Sequence, residues 1–122
     1  MGVARSDGTP VLVTGATGYI GGRLVPRLLE KGVHVRVAVR NPSKLRGRSW
    51  AKDKRLEVVQ ADVFDLESLQ KAAQGCRAAY YLVHSMNPEA KDFAQADRVA
   101  AGNMAKAAAD AGLVQIIYLS GL

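Results

Sequence analysis

The sequence has little cysteine, few aromatic residues and no long apolar segment, and each shortage excludes a class of protein. Cys76 is the single cysteine among 122 residues. An internal disulfide is therefore impossible, and we expect a reducing compartment, the cytoplasm. Aromatic residues make up 6 % of the chain, and they are not interleaved with basic ones as in proteins that stack bases. No apolar run approaches the ~20 residues of a membrane-spanning helix, so we expect no membrane partner.

The remaining composition is that of a folded domain, with 48 % hydrophobic and 23 % charged residues. Residues 1–9 are small and polar, without the apolar segment of a secretory signal, and we expect a flexible leader there. Residues 10–122 then form one domain with a small core. No group of His, Cys, Asp and Glu residues has the spacing of metal ligands, so no metal site is expected.

The formal net charge of +6 raises the question of a nucleic-acid partner. Eight of the 17 basic residues lie between Arg36 and Arg55, around one predicted loop. Because no nucleic-acid-binding motif accompanies them, we expect no nucleic-acid partner, and that function is the weakest hypothesis. A phosphate bound beside the basic loop explains the clustering more simply.

Short apolar runs alternate with segments of helical periodicity, which predicts an α/β fold. Right-handed crossovers then predict a Rossmann-like, doubly wound parallel sheet with strand order 3-2-1-4-5. A ligand crevice is expected where strands one and four end. The predicted strands are 10–14, 33–39, 56–60, 78–83 and 114–119, the helices are 18–31, 66–74 and 88–111, a helical turn starts at 41–43, and 46–54 is a polar loop.

A glycine-rich segment follows the first predicted strand and opens the first helix. Gly15, Gly18 and Gly21 are spaced three apart. Gly15 permits a sharp turn with positive φ, Gly18 lets backbone N–H groups approach a diphosphate, and Gly21 lets the helix lie close to the sheet. The N–H groups and dipole at the start of the helix then hold the anion. The alternative is an ordinary glycine-rich turn without a ligand.

The motif Thr14-Gly15-Ala16-Thr17-Gly18-Tyr19-Ile20-Gly21 resembles the cofactor signature of the extended and atypical short-chain dehydrogenases/reductases, including the NmrA-like and epimerase/dehydratase branches. The resemblance runs from about Pro10 to the end of the chain. It implies a dinucleotide cofactor held by the motif, Thr17, Tyr19 and Ile20 included. It also implies a longer protein, truncated here after strand five.

A basic residue stands where strand two ends. NAD-preferring domains place Asp or Glu there to hold the ribose 2′-hydroxyl, whereas this chain has Arg40, followed shortly by Lys44. A guanidinium and an ammonium suit a 2′-phosphate. The Arg-Asn-Pro-Ser-Lys pattern is similar to the NmrA-like subset and implies NADP(H) as the preferred cofactor, with NAD(H) a possible second. The alternative is a solvated basic loop.

The resemblance implies further contacts after strands three and four. Asp62 and Val63 match an Asp-Val pair that holds the adenine, although a turn-capping Asp is the alternative. Leu82, Val83 and His84 match the segment beneath the ribose and nicotinamide. His84 is a candidate to bond the ribose or to act as an acid/base, and the alternative is an inert loop histidine. The resemblance also implies a structural bond from Asn103 to nearby backbone.

The catalytic pair expected from the resemblance, a Tyr followed four residues later by Lys, does not occur in the chain. Two main hypotheses therefore stand. The first is the NADP(H)-binding part of an oxidoreductase or an epimerase/dehydratase acting on a small molecule; the second is a non-catalytic NmrA-like sensor that binds a dinucleotide and a protein. An exposed edge of strand five is expected to support a homodimer.

Overall fold

The computed structural model describes residues 8–82 and 93–118. Strands and helices alternate along this part of the chain. The strands are β1 (Val11–Thr14), β2 (Val35–Val39), β3 (Leu56–Gln60), β4 (Ala78–Tyr81) and β5 (Gln115–Tyr118). The helices are α1 (Tyr19–Glu30), α2 (Leu66–Ala73) and α3 (Phe93–Ala111), and a short 3-10 helix covers Pro42–Leu45.

The five strands of the described chain form one parallel sheet in the order β3-β2-β1-β4-β5, which confirms the predicted fold class and strand order. The central strand β1 is paired on both sides, with Val11 opposite Val35 of β2 and opposite Ala78 of β4. The chain moves outward from β1 to β3 and then returns across the sheet to β4. The carboxyl ends of β1 and β4 therefore flank the point where the winding reverses, and ligands of such sheets bind there.

Alternate side chains of β1, β2 and β4 lie on opposite faces of the sheet and enter two different cores, as the two-residue repeat of a strand requires. Val11 and Val13 of β1 face α1, while Leu12 between them faces α2 and α3. All three are fully buried. Both sides of the central strand are thus covered, which is why it reads as a continuous apolar run.

The connection from β2 to β3 packs on the same face as α1. Asn41 caps the 3-10 helix by accepting a hydrogen bond from the Ser43 backbone N–H at 3.3 Å, which confirms the predicted helical turn. Leu45 is 2 % exposed and Trp50 is 8 % exposed, and both belong to the core beside α1. The predicted polar loop is therefore docked on the core by two apolar side chains.

The opposite face carries α2 and α3. Asp65 caps α2 by accepting a hydrogen bond from the Ser68 N–H. Ala100 and Met104 of α3 are buried in the core on this face. No helix within residues 8–82 and 93–118 has the length and apolar character needed to cross a membrane.

Arg36 joins three elements on this face. Its Nε donates to the Glu57 carboxylate at 2.9 Å, and its Nη1 donates to the carbonyl oxygens of Ala72 at 2.8 Å and Gln74 at 2.5 Å. The guanidinium thereby satisfies carbonyls at the C-terminus of α2, where cations are favoured. Arg36, one of the eight basic residues between Arg36 and Arg55, therefore has a structural role.

The element bounds differ from the predicted ones by a few residues at most. β2 begins at Val35 rather than at 33, because the Val33 N–H donates to Leu28 at the end of α1 instead of to a neighbouring strand. Residues 88–92 of the predicted long helix, and residue 119 of the predicted last strand, lie outside the described residues. Residues 1–7 of the predicted leader lie outside them too.

Candidate functional site

The chain leaves β1 through a turn whose backbone only glycine adopts easily. Gly15 has φ of +89°, which confirms the positive φ predicted for it. The Gly18 N–H donates to the Gly15 carbonyl at 3.0 Å and closes the turn. Thr17, Gly18 and Tyr19 are exposed at its outer side. The turn therefore presents backbone to any ligand at the carboxyl end of β1.

Gly21 lies where α1 packs directly against this turn. A Cβ at Gly21 would lie 2.7 Å from the Ala16 Cα and still nearer to the Gly15 carbonyl oxygen. Both neighbours are backbone, so no side chain fits without separating the helix from the turn. The close approach predicted for Gly21 is confirmed.

The backbone donors in the first turn of α1 find no acceptor in the part of the chain that the structure describes. Gly18 is the N-cap, it supplies no side-chain cap, and the first turn contains no acidic residue. Among the described residues, the N–H groups of Tyr19, Ile20 and Gly21 have no hydrogen-bond acceptor. Free N–H groups and the helix dipole make this end of α1 electropositive and suited to an anion.

The end of β2 supplies two exposed cations. Arg40 follows Val39 directly, and Gln60 donates to its backbone carbonyl at 3.3 Å. Lys44 lies in the 3-10 helix. Both side chains are exposed, and neither forms an ion pair within the described parts of the chain. Their charges are therefore available to a ligand.

The end of β3 forms a turn held from two sides. The Phe64 N–H donates to Asp62 Oδ1 at 2.9 Å, so Asp62 caps its own turn. The Asn103 side chain of α3 donates to the Val63 carbonyl at 2.8 Å, which confirms its predicted bond to backbone. The Val63 N–H has no acceptor among the described residues. The turn thus leaves one backbone donor and one carboxylate oxygen for a ligand.

The end of β4 is described only as far as Leu82. Its N–H donates to the Thr14 carbonyl at 3.2 Å, and its side chain is 7 % exposed in the core beside α1. Val83 and His84 lie outside the described residues. Leu82 therefore faces inward, and any ligand contact at this position falls to its backbone.

The structure brings most of the predicted residues to one edge of the sheet. In a parallel sheet all carboxyl ends lie on the same side. The glycine turn, Arg40 and the Asp62 turn follow β1, β2 and β3 in turn, in the spatial order that the sheet imposes. The three segments therefore lie side by side at the carboxyl edge of the sheet.

Sequence reasoning did not assign two residues to this edge, Arg48 and Gly22. Arg48 Nη2 donates to the Thr17 carbonyl at 3.1 Å, and its Nη1 would lie 2.9 Å from a Cβ at Gly22. The signal that could have placed Arg48 is Trp50, since an aromatic residue in an otherwise polar loop indicates that the loop is docked.

Cys76 lies away from this edge, before β4, and is buried. Burial raises the pKa of its thiol, and the neighbouring Arg36 guanidinium opposes the increase. A buried thiol of raised pKa is a weak nucleophile. The structure therefore supports the interpretation of Cys76 as a small core residue.

Comparison with known proteins identifies the family of the chain. A family model described as NAD(P)H-binding matches residues 15–122. Cinnamoyl-CoA reductase 1 of Petunia hybrida is 34 % identical over 121 residues, which are 95 % of this chain and 36 % of that protein. The chain therefore spans about a third of the length of this relative.

Two solved structures share the fold at recognisable sequence identity. The NADPH-dependent quinone oxidoreductase of Escherichia coli, complexed with NADPH, is 30 % identical with a TM-score of 0.71, over 92 % of this chain and 37 % of that one. The triphenylmethane reductase of Citrobacter sp., complexed with NADP(H), is 31 % identical with a TM-score of 0.74, over 89 % of this chain and 36 % of that one. The resemblance to short-chain dehydrogenases/reductases is confirmed.

Proposed function

Because this chain belongs to the NAD(P)H-binding family, we propose that it binds NADP(H) in preference to NAD(H), with the diphosphate at the N-terminus of α1. The observation that carries the proposal is the uncapped first turn of α1 at the point where the winding reverses. A diphosphate supplies the acceptors and negative charge that this helix end lacks.

The diphosphate has a defined set of donors in this proposal. Tyr19, Ile20 and Gly21 offer their free N–H groups, while Gly18 carries no side chain that would keep the phosphates away. Hydrogen bonds to an ionised acceptor are stronger than neutral ones. The turn is already formed around Gly15, so little ordering accompanies binding.

The preference for NADP(H) rests on the end of β2. Arg40 stands where an acidic residue would hold the 2′-hydroxyl of NAD, and neither Arg40 nor Lys44 is neutralised by a carboxylate in the described chain. A guanidinium can contact two phosphate oxygens at once. Both solved relatives described above are complexed with the phosphorylated dinucleotide, which supports this choice.

The adenine is proposed to lie against the turn after β3. The free Val63 N–H can donate to a ring nitrogen, and the second carboxylate oxygen of Asp62 can accept from the exocyclic amino group. Leu82 is proposed to contact the ribose and the nicotinamide through its backbone, whereas Val83 and His84, which the resemblance also implies, lie outside the described residues.

The activity of the whole protein is proposed as NADPH-dependent reduction of a small molecule. The nicotinamide supplies the hydride when bound, and the described residues bind and orient the dinucleotide. Relatives named as reductases of cinnamoyl-CoA, quinones and triphenylmethane dyes support the reaction class. A non-catalytic dinucleotide sensor is the second candidate, and it would use the same binding residues. We propose a cytoplasmic location, supported by the lone buried Cys76.

Calorimetric titration with NADPH and with NADH tests the cofactor proposal. We expect NADPH to bind at least ~10-fold more tightly, the difference that one lost charge-assisted hydrogen bond makes. Arg40→Ala should remove most of that difference and leave NADH affinity unchanged. Lys31→Ala, at the opposite end of α1, is the matched control and should change neither affinity. Equal affinities for the two dinucleotides in the unaltered chain would refute the role of Arg40.

A further inference from the structure

Arg48 differs from its neighbours in the basic loop by its contact with the glycine turn. Its Nη2 donates to the Thr17 carbonyl at 3.1 Å. Its side chain is half-buried, whereas those of Arg40, Lys44 and Arg46 are exposed. No carboxylate pairs with Arg48 within residues 8–82 and 93–118. An uncompensated positive charge is thus held beside the turn before any ligand arrives.

The backbone on both sides of Arg48 is fixed to the core. The Arg48 N–H donates to the Leu45 carbonyl at 3.1 Å, and the Ala51 N–H donates to the Arg48 carbonyl at 3.1 Å. Leu45 and Trp50 are buried in the core beside α1. Arg48 is therefore a positioned side chain rather than a solvated one.

Gly22 makes room for this side chain. It has no positive φ, and glycine destabilises a helix interior relative to alanine, so the backbone gives no reason for a glycine there. A Cβ at Gly22 would lie 2.9 Å from Arg48 Nη1 and 3.6 Å from its Cζ. The guanidinium occupies the space where an alanine methyl group would be.

We propose that Arg48 is a third cation of the 2′-phosphate site, acting with Arg40 and Lys44; this inference rests on the proposed function. The loop that carries Arg48 follows β2, as Arg40 and Lys44 do. The guanidinium contacts the carbonyl of Thr17, which precedes the first turn of α1. Because a guanidinium carries five N–H donors, it can donate to the Thr17 carbonyl and to a phosphate at the same time.

Arg48 also acts as a link between the two parts of the site. The hydrogen bond to Thr17 joins the loop after β2 to the turn after β1. It therefore fixes the position of the guanidinium relative to the turn. A ligand that meets a pre-ordered site loses less binding free energy to the ordering of side chains. Arg48 thereby contributes to the selectivity for the phosphorylated dinucleotide without a rearrangement of the loop.

Titration of variants with NADPH and NADH tests the assignment. We expect Arg48→Ala to weaken NADPH binding about 10-fold and NADH binding less than about 2-fold, since only NADPH carries the 2′-phosphate. Arg46→Ala removes the same charge from an exposed side chain two residues away and should change NADPH binding less than about 2-fold. An equal loss in both variants would show that general loop charge, and not Arg48, attracts the phosphate.

Gly22→Ala tests the same contact without removing a charge. The methyl group should displace the guanidinium and reproduce the selective loss of NADPH affinity. Its melting temperature should be equal to or above that of the unaltered chain, because alanine favours the helix. Unchanged NADPH binding in this variant, or equal losses for NADPH and NADH in Arg48→Ala, would overturn the inference.

The result separates this inference from the function it rests on. If Arg40→Ala abolishes the NADPH preference and Arg48→Ala does not reduce it, the inference fails and the proposed function stands. If the unaltered chain binds neither dinucleotide, the proposed function itself fails and the inference fails with it.

Discussion

Adjacent residues in this chain meet different constraints, because one step along a helix or strand turns the side chain to another environment. Gly21 faces the backbone of the turn, and Gly22 faces a guanidinium. Tyr80 packs toward the core beside α1, whereas Tyr81 belongs to the core beside α2 and α3. The surroundings of each residue, more than its place in a motif, therefore decide what a substitution will do.

Tyr81 should make the stability of the fold depend on pH in the alkaline range. Burial, with smaller effects of Asp97 and Tyr118, raises its pKa to about 12. The pKa of an unfolded tyrosine is ~10. Between these values the unfolded chain releases a proton that the folded chain keeps, so rising pH favours unfolding. The contribution of Tyr81 is fully present below pH ~10 and is lost as pH rises toward 12.

Urea denaturation at pH 8, 10 and 11 measures this dependence. The free energy of unfolding of Tyr81→Phe should fall less steeply above pH 10 than that of the unaltered chain, because phenylalanine has no proton to release. Tyr19→Phe changes a tyrosine that is 76 % exposed and serves as the control for loss of a hydroxyl. Parallel curves for Tyr81→Phe and the unaltered chain would contradict the assignment to Tyr81.

Among the elements, the connection from β2 to β3 takes the place of a crossover helix. It lies on the same face as α1 and contributes Leu45 and Trp50 to that core. A right-handed crossover fixes the face on which such a connection lies, and α1 begins at the glycine turn on that face. The basic loop is therefore brought to the glycine turn by the topology of the sheet.

Trp50→Ala should detach this connection from the core. Truncation of a buried tryptophan costs roughly 3–5 kcal/mol of unfolding free energy, and Trp50 is 8 % exposed. Trp50→Phe retains an aromatic ring and should lose less than half as much. Urea denaturation followed by circular dichroism measures both variants. A loss in Trp50→Ala below ~0.5 kcal/mol, as at surface positions, would show that the loop is not docked.

At the scale of the whole molecule, the sequence predicted the strand order, the glycine turn and the helical turn after β2. These features depend on local signals: apolar runs, glycine spacing and an Asn-Pro pair. The order of strands then follows from the handedness of the crossovers. Local sequence signals were therefore sufficient to predict those features in which residues close in sequence are also close in space.

The contacts that sequence reasoning missed all join distant parts of the chain. Arg48 meets Thr17 across 31 residues, and Arg36 meets the end of α2 across 36 to 38 residues. The same type of residue, an arginine in a basic cluster, is structural in one case and adjacent to the candidate site in the other. Composition cannot separate these roles, because packing decides which arginine is held and by what.

We propose that the outer edge of β5, unpaired in the described part of the chain, lets two chains pair. In the described part of the chain β5 is an edge strand, with Tyr118 at its end 47 % exposed and Val114 beside its start 75 % exposed. Unpaired N–H and C=O groups on an apolar edge favour strand pairing between molecules. Light scattering over a range of concentrations should therefore show a species of twice the mass of one chain.

A charge at this edge should weaken that dimer. Val114→Lys places a cation beside β5, a change by which natural edge strands avoid pairing. Val99→Lys makes the same change on α3 at a side chain that is 47 % exposed and should leave the dimer intact. A monomer at every concentration in the unaltered chain would rule out this edge as an interface. A dimer insensitive to Val114→Lys would move the interface elsewhere on the surface.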